Sequence, residues 1–308
     1  IGAQGGRKLG VEGEEAEGIY SGIEFLRGIN AGNRPSLRGK TIVIGGRNVA
    51  IDVARSAVRC DSGEVSMYCL ESRDIMPASE EEILEAQEEG VRLNNGWGPK
   101  RILTENGRVK AVEFKKCLSV FDEQHRFSPK YDEDDCVVVE ADQVIVTIGQ
   151  SIQWGGLLEG ADVEFNRNMT VIADAFTYQS GQADIFVGGD CYSGPKFAID
   201  AIAAGKQGAI SIHRFVHPGQ SLVLGRDRRI YRELNKDAVL VDDYDHTPRQ
   251  KPDTIKEASS DRFHDNRGIL DEQQIQKETA RCLGCGVTKV DEYMSQGIIK
   301  RNNLEVRE

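Results

Sequence analysis

The chain has 308 residues, 39% of them hydrophobic and 29% charged, with a formal net charge of −11. That length has room for two domains at about 150 residues each. The acidic balance argues against general nucleic-acid binding. No run approaches the roughly 18 apolar residues of a membrane span, no signal peptide precedes the fold, and the expected location is the cytoplasm. Seven cysteines are present: Cys60, Cys69, Cys117, Cys136, Cys191, Cys282 and Cys285. Only Cys282 and Cys285 form a spaced pair; the others read as reduced thiols, not as a disulfide framework.

Ile1-Gly2-Ala3 reads as the end of a strand with no strand-forming run before it, and residues 4–13 read as loop. A helix is expected over Ser21 to Gly28, and residues 30–37, with Pro35, as a linker. The abrupt start reads as a fragment whose upstream half is missing.

Lys40 to Arg55 carries the strongest signal. A β-rich run, Thr41-Ile42-Val43-Ile44, meets the tight turn Gly45-Gly46. An apolar-periodic segment follows, with Val49, Val53, Ala54 and Ala57 on one helical face. This is the strand–turn–helix opening of a dinucleotide-binding unit, with the first helical N–H groups, about Asn48 and Val49, facing a pyrophosphate. Against the G-x-G-x-x-G/A fingerprint, Gly45 is the first glycine and Ala50 the small residue. The middle glycine is replaced by Arg47, whose side chain must occupy phosphate space or swing aside and pair with it.

Val65 to Leu70 reads as the second parallel strand, ending at Glu71. An acid at that place commonly accepts the adenosine ribose hydroxyls of NAD and repels the extra phosphate of NADP; the plain alternative is a solvated loop carboxylate. Glu80 to Glu89 reads as an acidic helix. Val91 to Leu93, Arg101 to Thr104 and Val109 to Cys117 read as strands, with Asn106-Gly107 as a hairpin turn. Asp132 to Asp135 is expected at a loop tip, followed by strands at 137–139 and 143–148 that end at Gly149.

Beyond Ser151, residues 184–187 read as a strand running into Gly188-Gly189-Asp190. Pro195 is expected as a first helical residue, opening a long apolar stripe from Phe197 to Ile212. After Pro218 the chain turns polar and irregular, an arm lying along a surface. Asp271 to Arg281 reads as a helix, capped by Asp271 with Gln274 three residues on, delivering Cys282 and Cys285.

Six motifs stand in order: Gly45 to Asp52, Met76-Pro77-Ala78, Ile148-Gly149-Gln150, Gly188-Gly189-Asp190, Gly194-Pro195-Lys196 and Arg281-Cys282-Leu283-Gly284-Cys285-Gly286. Together they resemble the small (β) subunit of glutamate synthase and its relatives, flavin-dependent NAD(P)H oxidoreductase modules that include parts of electron-bifurcating transhydrogenase-type complexes. The resemblance implies an α/β fold with two dinucleotide-binding (Rossmann-like, glutathione-reductase-type) domains. It further implies that the NAD domain is inserted in a split FAD domain, whose upstream half is expected to be absent here. It implies that residues 1–38 end the first FAD half and link it on, that 39–149 bind NAD(P), that 150–216 return as the second FAD half, and that 217–308 form an arm with the CxxC segment. For FAD it implies Gly189 and Asp190, the latter bonded to a ribityl hydroxyl, with Lys196, Phe197 and Ala198 at a helix start beside the flavin. For the nicotinamide nucleotide it implies Gly45, Gly46, Arg47, Asn48, Val49, Glu71 and Gly149.

The implied reaction is hydride transfer between nicotinamide and flavin, with electrons passed on to iron–sulfur centres in partner subunits, iron–sulfur or large catalytic ones. No side-chain acid or base is required, so no catalytic residue is named. NADPH-using relatives carry an arginine pair after the second strand; the corresponding place here, Cys69-Leu70-Glu71-Ser72-Arg73, resembles the NAD-type variant. Cys282 and Cys285 are the metal candidates, but two ligands do not close a four-ligand site. Other chains or segments supply the rest, or the thiols are spare; zinc is the weaker option. One other reading stays open, a docking or scaffold subunit with a silenced nicotinamide site, supported by Arg47; a disulfide reductase is rejected, because Cys191 lacks a cysteine partner.

Overall fold

Parallel strands bury both faces, so a parallel sheet needs a layer on each side. The elements run β1 (Gly5–Gly6), β2 (Ile19–Ser21), α1 (Gly22–Asn30), β3 (Lys40–Ile44), α2 (Asn48–Arg59), β4 (Glu64–Cys69), α3 (Glu80–Glu88), β5 (Arg92–Asn95), β6 (Trp97–Glu105), β7 (Arg108–Phe121), β8 (Phe127–Glu140), β9 (Gln143–Val146), β10 (Gln150–Ser151), α4 (Asp190–Ser193), α5 (Ala198–Val216) and α6 (Glu272–Ala280). This computed structural model describes residues 1–226, 247–253, 263 and 267–282. The chain divides into two units, Ile1–Arg228 and Arg229–Glu308.

Five parallel strands form one sheet in the order β2-β9-β3-β4-β5, and β6-β7-β8 form an antiparallel sheet. Alternation along a strand sends neighbouring side chains to opposite faces. On one face Ile42, Ile44, Tyr68, Val144 and Val146 pack with Ile102, Val112 and Phe114 of the antiparallel sheet. The rings of Tyr68 and Phe114 stack with centroids 4.1 Å apart. The helices pack against the parallel sheet as well: α2 buries Ala50, Ile51, Val53, Ala54 and Ala57 and meets β3, β4, α1 and α3.

Arg55 and Arg59 of α2 reach Glu85 and Glu89, with Arg55 Nη1 to Glu85 at 2.5 Å and Arg55 Nη2 to Glu89 at 2.7 Å. Burial alone would raise the Glu89 carboxyl; hydrogen bonds and charge from Arg55 and Arg59 outweigh it and hold the group below the usual carboxylate range.

Four details differ from the sequence reading. Residues 19–30, expected within the first FAD half and linker, instead supply β2 and α1 to the parallel sheet, because Ile19, Tyr20 and Ser21 pair with Val144, Ile145 and Val146. The acidic run 132–135 is not a loop tip. Lys115 pairs with Cys136 and Lys116 with Asp132, so residues 133–135 bulge from β8, and Asp132 Oδ1 accepts the N–H groups of Asp134 and Asp135. The hairpin turns instead at Asp122, whose carboxylate accepts from the N–H groups of Gln124 and Arg126. Residues 184–187 make single bridges and turn bonds back to 178–180, not a strand. Pro195 precedes the helix, which starts at Ala198 with Phe197 as its N-cap.

β1 pairs antiparallel with β10, Gly5 with Ser151 and Gly6 with Gln150. In the second unit α6 carries a complete capping box between Asp271 and Gln274, and Arg281 pairs with Glu278 at 3.0 Å. Among the described residues no helix is long and apolar enough to cross a membrane.

Candidate functional site

A doubly wound sheet opens its crevice outside the carboxyl ends of the strands, where the strand order reverses. Here the reversal lies between β3 and β9: β4 and β5 extend the sheet on one side, β9 and β2 on the other. Gly45 ends β3 at that point with a φ of +151°. Thr147, next after β9, donates its hydroxyl to the Ile44 carbonyl at 2.7 Å and stands where a Gly45 side chain would have to go. Left-handed backbone and the lack of room both demand glycine.

Arg47 is the N-cap of α2 in ordinary extended backbone, φ −100° and ψ 171°. Its side chain is exposed and caps nothing. The first turn of α2 holds no acid, so the partial positive charge of the helix start is not offset from within the helix and Arg47 adds to it. An anion fits there. Two bonds close a loop over the turn: Ala78 N–H donates to the Gly46 carbonyl at 3.2 Å, and Ser79 N–H to Asn48 Oδ1 at 3.0 Å.

The Glu71 carboxylate reaches this turn. Its Oε2 lies 2.8 Å from where a Cβ on Gly46 would stand. Its carbonyl accepts from the Asn95 side chain at 3.1 Å and from Gly96 N–H at 3.1 Å. Burial, with the Glu71 charge adding to it, pushes the neighbouring Cys69 thiol up to about 12. Arg73, the nearest basic residue in sequence, donates to both oxygens of Glu80 at 2.6 and 2.7 Å. Gly149 lies beyond the end of β9; its carbonyl accepts from Arg7 N–H at 3.1 Å.

A second group lies near the N-terminus of α5. Gly189 has a φ of +61° and would crowd Ala201 with any side chain. Asp190 accepts from Ala3 N–H and from Lys196 N–H, each at 3.4 Å. Lys196, Phe197 and Ala198 are exposed at the helix start. Cys191 is buried and its thiol pushed up by that burial. All the described cysteines are free.

The candidate residues therefore fall in two places. Gly45, Gly46, Arg47, Asn48, Val49 and Glu71 lie together at the end of β3 and the start of α2, and Gly149 follows the end of the neighbouring strand, β9, beside Arg7. Gly189, Asp190, Lys196, Phe197 and Ala198 form the second place. Cys282 is exposed; Cys285 lies outside the described residues. Among the described residues no three His, Cys, Asp or Glu side chains gather as a metal site. Sequence reasoning missed Thr147 and Asn95. Thr147 directly precedes the Ile148-Gly149-Gln150 motif, which was the available signal; Asn95 had none.

The fold and the crevice define an α/β protein of the dinucleotide-binding class. Residues 1–205 match the pyridine nucleotide-disulphide oxidoreductase family. The chain belongs to that family. It is 31% identical over 289 residues to the NADP(+)-dependent formate dehydrogenase subunit beta of Moorella thermoacetica, covering 90% of this chain and 40% of that one. It is 27% identical to the NADPH-Fe(3+) oxidoreductase subunit beta of Geobacter sulfurreducens, covering 92% and 47%. The chain thus spans less than half the length of these relatives. Mycobacterium tuberculosis FprA, solved in complex with NADPH, shares the fold at a TM-score of 0.57 and 14% identity, over 70% of this chain and 62% of that one.

Proposed function

We propose that this chain is the flavin and nicotinamide module of a multi-subunit oxidoreductase, moving hydride between NAD(H) and FAD. The observation that carries it is the glycine turn at the switch point with the Glu71 carboxylate 2.8 Å from the Gly46 Cβ position. The pyrophosphate lies on the N-terminus of α2, held by the N–H groups of Asn48 and Val49 and by Arg47 swung to its side. Arg47 needs no special backbone angle in this arrangement, which weighs against a silenced site. Glu71 accepts the adenosine ribose hydroxyls, and Arg73, paired with Glu80, is not offered to a 2′-phosphate. The nucleotide is therefore NAD, although the two relatives carry NADP in their names.

The second place fits one wall of a flavin site: a carboxylate, Asp190, bound among the described residues by two long backbone bonds, and an exposed helix start whose dipole favours negative charge. A bound flavin supplies the hydride acceptor and the change from two-electron to one-electron transfer. Asp190 would hold a ribityl hydroxyl, while Lys196, Phe197 and Ala198 would orient the ring. Iron–sulfur centres of partner subunits would take the electrons onward, and Cys282 and Cys285 would supply two ligands to a shared cluster, in a complex that would be cytoplasmic. Anaerobic titration of the full-length flavoprotein with NADH and NADPH tests this. Bleaching of the visible flavin band by NADH at much lower concentration is expected. Bound flavin that neither nucleotide reduces overturns it and makes the chain a docking subunit.

A further inference from the structure

The loop after β4 carries one short 3-10 turn, Arg73–Ile75, and it must aim one carboxylate. Its anchor comes from the next strand. Asn95 is the last residue of β5, in register with Cys69 at the end of β4. Its side-chain nitrogen lies 3.1 Å from the Glu71 carbonyl, 3.1 Å from Cys69 Sγ and 3.7 Å from Met76 Sδ. One amide therefore touches the strand end, the residue carrying the acid, and the start of the Met76-Pro77-Ala78 loop that closes over Gly46. Cys69, protonated because its thiol is pushed up to about 12, donates to the same carbonyl at 3.5 Å. The Glu71 main chain is fixed from several sides while its carboxylate stays directed at the turn.

We propose that Asn95 is a positioning residue for nucleotide specificity. Its side-chain amide holds the Glu71 backbone so that the carboxylate sits beside the glycine turn, ready for the two adenosine ribose hydroxyls and hostile to a 2′-phosphate. The proposal rests on the nicotinamide reading above. Asn95 touches no nucleotide and acts through Glu71. Without it the Gly96 N–H bond remains, so the loop loosens without unfolding and the acid loses its aim.

The test is calorimetric titration of the full-length protein with ADP-ribose and with its 2′-phosphate. Both carry the adenosine end and the pyrophosphate but no hydride. Glu71→Ala is expected to weaken ADP-ribose about ten-fold and to reduce discrimination against the 2′-phosphate, as loss of hydrogen bonds to a charged group would. Asn95→Ala is expected to weaken ADP-ribose about five-fold, and to cost nothing further in the Glu71→Ala background. Asn95→Ser, which restores a short donor, should recover part of the loss, and it carries the test if Asn95→Ala does not fold. Unchanged ADP-ribose affinity in folded Asn95 variants, beside a clear Glu71→Ala effect, overturns the proposal and leaves the site reading standing. An Asn95→Ala effect of equal size in the Glu71→Ala background shows a merely structural role and also overturns it. Glu71→Ala without effect overturns the ribose reading and the proposal with it.

Discussion

Helices α2 and α5 both follow a glycine turn, yet they are treated differently. α2 is sealed: Ala50, Ile51, Val53, Ala54 and Ala57 have no exposed surface, and its outer flank is tied to α3 by arginines. α5 buries only Ala204 and Ser211, while Phe197, Ile199, Ile202 and Val216 are each more than half exposed. Its small residues pack close on one side: a side chain on Gly188 would crowd Ala204, and one on Gly189 would crowd Ala201. The contrast teaches that a helix N-terminus can be presented in two ways, by a fully buttressed helix or by one held mainly along a narrow contact.

The sharpest way to break this comparison is to remove buried volume from each side. Ile51, fully buried on α2, should cost about 4 kcal/mol as Ile51→Ala. Ile202→Ala on the exposed face of α5 should cost less than about 1 kcal/mol. Urea unfolding measures both, and equal losses would erase the distinction. Next, Arg55→Ala should cost about 3 kcal/mol by leaving Glu89 half-compensated in a partly buried site. The same pair sets an acid limit. The folded Glu89 carboxyl sits below its ordinary 4.5, so its contribution is complete above that value and is lost as pH falls through the lower folded one. Melting curves from pH 6 to pH 3 should show Arg55→Ala losing less on acidification than the native chain.

A smaller effect sharpens the comparison at the helix starts. Arg47→Gly, which restores the usual fingerprint, should weaken ADP-ribose roughly five-fold at low salt and less at high salt, since an exposed charge is screened. Tighter binding would mean that Arg47 obstructs the pyrophosphate. The smallest effect is chemical. Exposed Cys282 should react with iodoacetamide in the folded chain, while Cys69, buried and pushed up to about 12, should react only after denaturation; mass spectrometry of labelled peptides reads both.

Much of the stretch from Lys40 to Arg59 could be read from sequence because its signals are local. A β-branched run, a glycine pair and a 3.6-residue apolar period specify β3, the turn and α2 without help from distant residues. The capping pair Asp271 and Gln274 was equally local, and the structure carries both of its bonds. What escaped was set by pairing across the chain. β2 is three residues long and exists only because β9 lies beside it. The acidic bulge at 133–135 is fixed by the register of β7. Thr147 and Asn95 matter through bonds to Ile44 and Glu71, 103 and 24 residues away in sequence. The exposed start of α5 at Ala198, and not at Pro195, follows from the separate turn of α4 and the Asp190 to Lys196 bond.

The short ribbon of β1 and β10 has a consequence for how such a chain can be assembled. Gly6 pairs with Gln150, and Arg7 N–H is bonded to the Gly149 carbonyl, so the stretch from Arg7 to Gly149 leaves and returns at one doorway. Its two ends are already neighbours, which makes closing them by a tight turn inexpensive in chain entropy. The stretch between them can therefore be lifted out or exchanged as one piece, with both flanks left at the same doorway.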